Sequence, residues 1–133
     1  MRKFTHMNAQ TNALNWFEIP VTDMPRAKHF YQTICSIHME ETNMMSMDMA
    51  MFPYDPGNGK LSGALVKSPY HTPSQEGTLV YLNAHPDLSD VLGKVEEAGG
   101  KVVMPKTKIS DDVGYMAMFL DTEGNRVALH SQH

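Results

Sequence analysis

The chain repeats its own pattern, and that repeat constrains its fold more than any single motif. Residues 14–21 (LNWFEIPV) are rich in β-formers and read as a strand. Asp23 then stands where an N-cap belongs, with Pro25 in the first helical turn. Ala27, Phe30, Tyr31 and Ile34 follow at the spacing of an amphipathic helix that should end near Cys35 or Ser36. Residues 38–43, 47–52 and 60–67 read as three strands, the last two joined by the turn-rich residues 54–59. The second half does the same. Residues 77–83 (GTLVYLN) form a strand, and Asp87 or Ser89 caps a helix with Leu88, Val91, Leu92, Val95 and Ala98 on one face. Gly99-Gly100 stops that helix. Residues 101–104, 115–120 and 126–130 complete the strands, with a turn over residues 121–125. Each half is thus strand, helix, three strands. Two such units are an internal duplication of α+β type and too few for a solenoid.

The units span about residues 14–67 and 77–131, and the polar stretch SPYHTPSQEG joins them. Residues 1–13 are polar and aperiodic and read as an N-terminal arm. A length of 133 residues suits a single domain. The 11 basic residues are dispersed and the net charge is −4, which excludes nucleic acid as the expected partner, since phosphate binding needs a concentrated basic surface. No apolar run is long enough to span a bilayer, and the N-terminus lacks the apolar core of a signal peptide. Cys35 is the single cysteine, so no internal disulfide forms and a reducing cytoplasm is the expected setting.

Three segments carry a family resemblance. FEIPVTDMPRAKHFYQ, EEAGGKVVMPKT and YMAMFLDTEGNRVALHS, in that order, resemble the entry strand and helix, the second helix exit and the closing hairpin of the vicinal oxygen chelate superfamily. That superfamily includes glyoxalase I, bleomycin resistance proteins and extradiol dioxygenases. The resemblance spans about residues 14–131 and implies two βαβββ units curled into a cup. In the family's enzymes a divalent metal in that cup acts as a Lewis acid on two neighbouring substrate oxygens. Carried onto this sequence, the implied ligand positions are Trp16; one of Ala64, Leu65 or Val66; Thr78 or Leu79; and Ala128. None offers an imidazole or a carboxylate, so no metal and no other cofactor is expected at those places. The family also implies a homodimer, in line with the prevalence of twofold assemblies.

Strand alternation extends the cavity from these positions. If Trp16 faces it, so do Glu18 and Pro20; if Ala128 does, so do Arg126 and His130; if Thr78 does, so do Val80 and Leu82. The expected ligand-binding residues are therefore Trp16, Glu18, Thr78, Arg126 and His130, with methionines filling the rest. Of the 12 methionines, Met47, Met49 and Met51 share one strand face and serve either as core filling or as a pliable pocket wall. Glu18 and His130 have two readings: an acid/base pair, or a salt-bridging arrangement in which Glu18 pairs with Arg126 or His130 to satisfy buried charge. Cys35 and His38 have C-x-x-H spacing but make no zinc site alone. His6, His71 and His133 read as solvated, residues 57–59 as a turn, and Asp111-Asp112 as a loop pair. The expectation is a protein that binds a small hydrophobic or planar molecule in its cup. A glyoxalase-like lyase or isomerase, with metal held by unexpected ligands or metal-free through Glu18 and His130, is the alternative.

Overall fold

The structure, a computed structural model, describes residues 7–133. The arm expected over residues 1–13 thus lies partly outside the described residues; residues 7–13 are exposed. The first unit runs β1 (Trp16–Pro20), α1 (Met24–Cys35), β2 (Glu40–Met44), β3 (Met47–Met51) and β4 (Ser62–Lys67). The second runs β5 (Tyr81–Asn83), α2 (Ser89–Leu92), β6 (Lys101–Ser110), β7 (Gly114–Leu120) and β8 (Arg126–Ser131). The two four-stranded sheets have matching orders, β1-β4-β3-β2 and β5-β8-β7-β6. Each sheet has one parallel pair, β1 with β4 and β5 with β8, and otherwise antiparallel pairs. The duplicated α+β pattern is therefore real at the level of topology.

Local signals explain α1. The Asp23 carboxylate accepts from the Arg26 amide at 3.0 Å, Pro25 sits in the first turn, and Ser36 closes the helix in the left-handed region at φ 54. Its stripe of Met24, Ala27, Phe30, Tyr31 and Ile34 is buried. Removing a side chain such as Phe30 from water contributes about 1.5–3 kcal/mol. Phe30 meets Phe119 of β7 at 5.7 Å between ring centres, and Tyr31 donates to Asp121 at 2.7 Å. One core thus runs through both units, with Ile19, Leu65 and Phe52 on one side of α1 and Leu82, Val127 and Leu129 from the other sheet.

The second helix departs from expectation in length. Regular α-helix covers only Ser89–Leu92, and the chain then tightens into turns through Lys94 N to Val91 O at 3.1 Å and Gly99 N to Glu96 O at 3.2 Å. Leu88 and Val95 are still fully buried, so the apolar stripe holds although its geometry differs. At Gly100 a Cβ would lie 2.6 Å from the Leu120 carbonyl oxygen and 2.8 Å from the Phe30 ring, so only glycine lets the chain pass there. Two strands also differ in extent. β5 is shorter than residues 77–83, and β6 continues to Ser110 past residue 104 through irregular register.

The turn at residues 121–125 ties the units together. Glu123 has no exposed side-chain surface; it accepts from the amides of Thr22 (2.9 Å) and Asp23 (2.8 Å) and forms an ion pair with Arg26 at 2.8 Å. Burial alone would raise its carboxyl, but the Arg26 guanidinium, those two amides and the Thr122 hydroxyl outweigh it and hold the group down at about 2. Asn125 donates to the Pro20 carbonyl at 2.7 Å and accepts from the Ser74 amide at 3.0 Å.

Candidate functional site

Register assigns each strand residue to one of two faces. On the sheet of the first unit, Trp16, Glu18 and Pro20 of β1 lie beside Ser62, Ala64 and Val66 of β4, with Met51 and Met49 opposite Ala64 and Val66. This face points away from α1 and carries its own apolar cluster: Met49, Ala64 and Val66 buried, with Trp16, Met47 and Met51 packed against them. On the second sheet, Arg126, Ala128 and His130 share a face with Leu120, Met118 and Met116 of β7 and with Tyr81 and Asn83 of β5. Both helix-free faces are thus lined by methionine, and the alternation expected for Trp16–Glu18 and for Arg126–Ala128–His130 is observed.

The strand after the linker is turned over relative to one expectation. Leu82 is buried in the common core and Val80 packs against that core, so these two do not share the helix-free face. Tyr81 does, directly beside Ala128, and it is 50% exposed. Thr78 precedes β5 and is exposed. A run as apolar as TLVYL gives alternation no polar partner to choose a face by, and burial of Leu82 decides it.

Two hollows lie where the units meet. A groove of about 710 Å³ runs between β1 and β5, walled by Trp16, Leu61, Leu79 and Tyr81, with Glu18 and Thr78 also on its lining. A cleft of about 230 Å³ shares Glu18 and Thr78 and adds Glu76, Asn125 and Arg126. Four of the five expected residues therefore come together: Trp16, Glu18 and Thr78 at the groove, and Glu18, Thr78 and Arg126 at the cleft. Trp16 is half-buried and stands edge-on to Tyr54 at 5.8 Å. Arg126 is exposed and its guanidinium makes no hydrogen bond or ion pair among the described residues. His130 lies apart. Its Nε2 donates to the Val113 carbonyl at 2.6 Å and its ring packs against His85.

The partner of Glu18 is the residue that the sequence left in solvent. His71, in the linker between the units, bonds Glu18 through Nε2 at 2.7 Å, and its Nδ1 meets the Ser68 hydroxyl at 2.7 Å. A carboxylate only accepts, so Nε2 carries a proton towards Glu18. The His71 side chain is 18% exposed. Neither Arg126 nor His130 bonds Glu18. The linker looked like solvated coil because nothing local marks a contact made 53 residues away; the Ser-x-x-His spacing was its one available hint.

Two units in tandem, each a helix on a four-stranded mixed sheet, with a hollow between their first strands, define a cup-forming α+β protein. The chain belongs to the glyoxalase/bleomycin resistance protein/dioxygenase superfamily, whose family model matches residues 13–129. Solved structures agree on the fold. The hypothetical protein SA1046 from S. aureus is 20% identical with a TM-score of 0.62, over 91% of this chain and 95% of that one. TnmS3, an antibiotic binding protein from Streptomyces sp. CB03234, is 24% identical with a TM-score of 0.63, over 95% and 98%. A glyoxalase I mutant (V278E) from Zea mays is 17% identical with a TM-score of 0.65, over 90% of this chain but 46% of that one. No curated protein matches significantly.

The metal implied by the family's enzymes can be tested on the donors present. The positions onto which the resemblance carries its ligands hold the Trp16 indole, an aliphatic side chain at Ala64, Leu65 or Val66, Thr78 or Leu79, and the Ala128 methyl; Ala64, Leu65, Val66 and Ala128 are fully buried. This set does not fit a divalent ion, which needs several nitrogen, oxygen or thiolate donors around one point. Glu18 and His71 are donors nearby, but they are bonded to each other. Among the described residues no three of His, Cys, Asp and Glu stand together.

Proposed function

We propose that this protein binds a small hydrophobic or planar molecule in the groove between β1 and β5, without a metal at the positions inherited from the family. The observation that carries the reading is the groove itself. Its volume of about 710 Å³ lies in the range of drug-sized ligand sites. Its walls are the apolar Trp16, Leu61 and Leu79 with the ring of Tyr81, and its polar groups are few: Glu18, Thr78 and Asn83, with Arg126 at the adjoining cleft. Methionines on both helix-free faces give the surroundings adaptable packing. The antibiotic-binding relative supports a sequestering role. The remaining parts of the proposal are a cytoplasmic setting, from the lone Cys35, and a homodimer; no helix among the described residues is long and apolar enough to cross a membrane.

The test uses chelator-treated full chain and a panel of planar aromatic compounds. Trp16 is the only tryptophan, so its fluorescence reports the groove. We expect at least one compound to quench it and to raise the melting temperature; a ligand at a hundred times its Kd stabilises by about 2.7 kcal/mol. Leu79→Arg should abolish both signals. A panel that moves neither signal would overturn the proposal.

One observation favours a second reading. The Ser68–His71–Glu18 chain holds an imidazole oriented by a carboxylate, which is the arrangement of a general base. A metal-free lyase or isomerase on this fold would use Glu18 with His71 in place of His130. Turnover of a glutathione–methylglyoxal hemithioacetal that survives chelation and disappears in His71→Ala would establish it.

A further inference from the structure

Two imidazoles that the proposed function does not use meet where the end of β8 passes the residues just after β5. His85 and His130 stand with ring centres 5.4 Å apart and planes at 65°. Each ring has one nitrogen committed to an acceptor. His130 Nε2 bonds the Val113 carbonyl oxygen at 2.6 Å. His85 Nδ1 bonds the Asn83 Oδ1 at 2.5 Å, and the same oxygen accepts the His85 amide at 3.0 Å, which fixes the orientation of the Asn83 amide. Both committed nitrogens therefore carry a proton, and in the neutral imidazole the other nitrogen keeps a lone pair: Nδ1 of His130 and Nε2 of His85. Neither lone pair has a partner among the described residues. Holding the distal N–H on a carbonyl oxygen is how proteins set the tautomer and orientation of a metal-binding histidine.

We propose that His85 and His130, with Met116, form a binding site for a soft monovalent metal ion, copper(I) being the best match. The spacing fits. With a metal–nitrogen distance of about 2.1 Å, two imidazoles on one ion place their ring centres roughly 4.5–6.5 Å apart, depending on the angle at the metal. Met116 lies directly opposite His130 in the β7–β8 register, so its thioether shares that face. No carboxylate, thiol or third histidine joins the pair among the described residues. Two neutral imidazoles and a thioether give an uncharged, soft donor set, which selects copper(I) over harder or more highly charged ions. The site lies on the second unit, and of its residues only Asn83, which orients His85 without ligating the ion, also lines the groove.

Anaerobic competition titration of the full chain with copper(I) and a chromogenic chelator tests the site. One ion per chain is expected. His85→Asn, at an exposed ring, should weaken binding by at least about tenfold, and His130→Asn by as much. Asn83→Ala, which frees the His85 ring, should cost roughly tenfold in affinity. Met116→Leu should weaken copper(I) while leaving zinc(II) affinity unchanged, a readout that a merely structural role would not produce. His38→Asn, remote in the sequence, should change nothing. Melting temperatures of the variants separate loss of the site from loss of the fold. Undiminished copper(I) binding in folded His85→Asn and His130→Asn, or no binding by the unaltered chain, overturns the proposal.

Discussion

The two units each join their last two strands by a turn rich in Asp, Asn and Gly, yet the two turns have opposite fates. In the first unit, residues 54–59 are all exposed, and the side-chain hydrogen bonds of Asp55 and Asn58 stay within the loop, as in Lys60 N to Asn58 Oδ1 at 2.8 Å. In the second unit, Asp121 and Asn125 are each 5% exposed. The Asp121 carboxylate accepts from the Glu123 and Asn125 amides, the Asn125 side chain and the Tyr31 hydroxyl. One turn only reverses the chain. The other holds α1, the end of β1 and the linker in place through polar groups that must stay paired because water does not reach them. Similar composition therefore reports a turn without reporting what the turn does.

Mutations can break that contrast, and the largest effect is expected at Asp121. Asp121→Ala leaves the buried Tyr31 hydroxyl and Asn125 amide without an acceptor and should cost about 3–4 kcal/mol, read as a fall in the urea midpoint. Glu123→Ala should cost about 2 kcal/mol, since the Thr22 and Asp23 amides and Arg26 lose their partner but remain near water. Acid sharpens the comparison. The Glu123 carboxyl lies at about 2 in the folded chain against an ordinary 4.5, so its contribution is complete above pH 4.5 and disappears as pH falls towards 2. Stability measured down that range should fall more steeply for the unaltered chain than for Glu123→Gln. The smallest effect belongs to the first turn, where Asn58→Ala should stay within about 0.5 kcal/mol. A loss at Asn58 as large as that at Asp121 would show the contrast to be false.

Helix α1 was legible in the sequence because its signals are local: the Asp23 cap, Pro25 and a stripe at helical spacing. The side of the sheet carrying Trp16 and Glu18 was legible once one residue's direction was assumed, because alternation propagates along a strand. What β5 buries was not, because both sides of that strand are apolar. The pairing of Glu18 was not legible either. The sequence offered Arg126 or His130 as its partner, and the linker delivered His71 instead. Cys35 is half-buried against the core, and desolvation pushes its thiol up to about 11, away from reactivity at neutral pH.

By itself, the order of residues determined the duplicated pattern and the family, because each depends only on residue types and their spacing along the chain. Tertiary structure alone decided that His71 meets Glu18, that His130 meets His85, and that the second turn is buried where the first is solvated. Those outcomes depend on which distant segments come to share a low-dielectric interior, and spacing along a chain carries no measure of that.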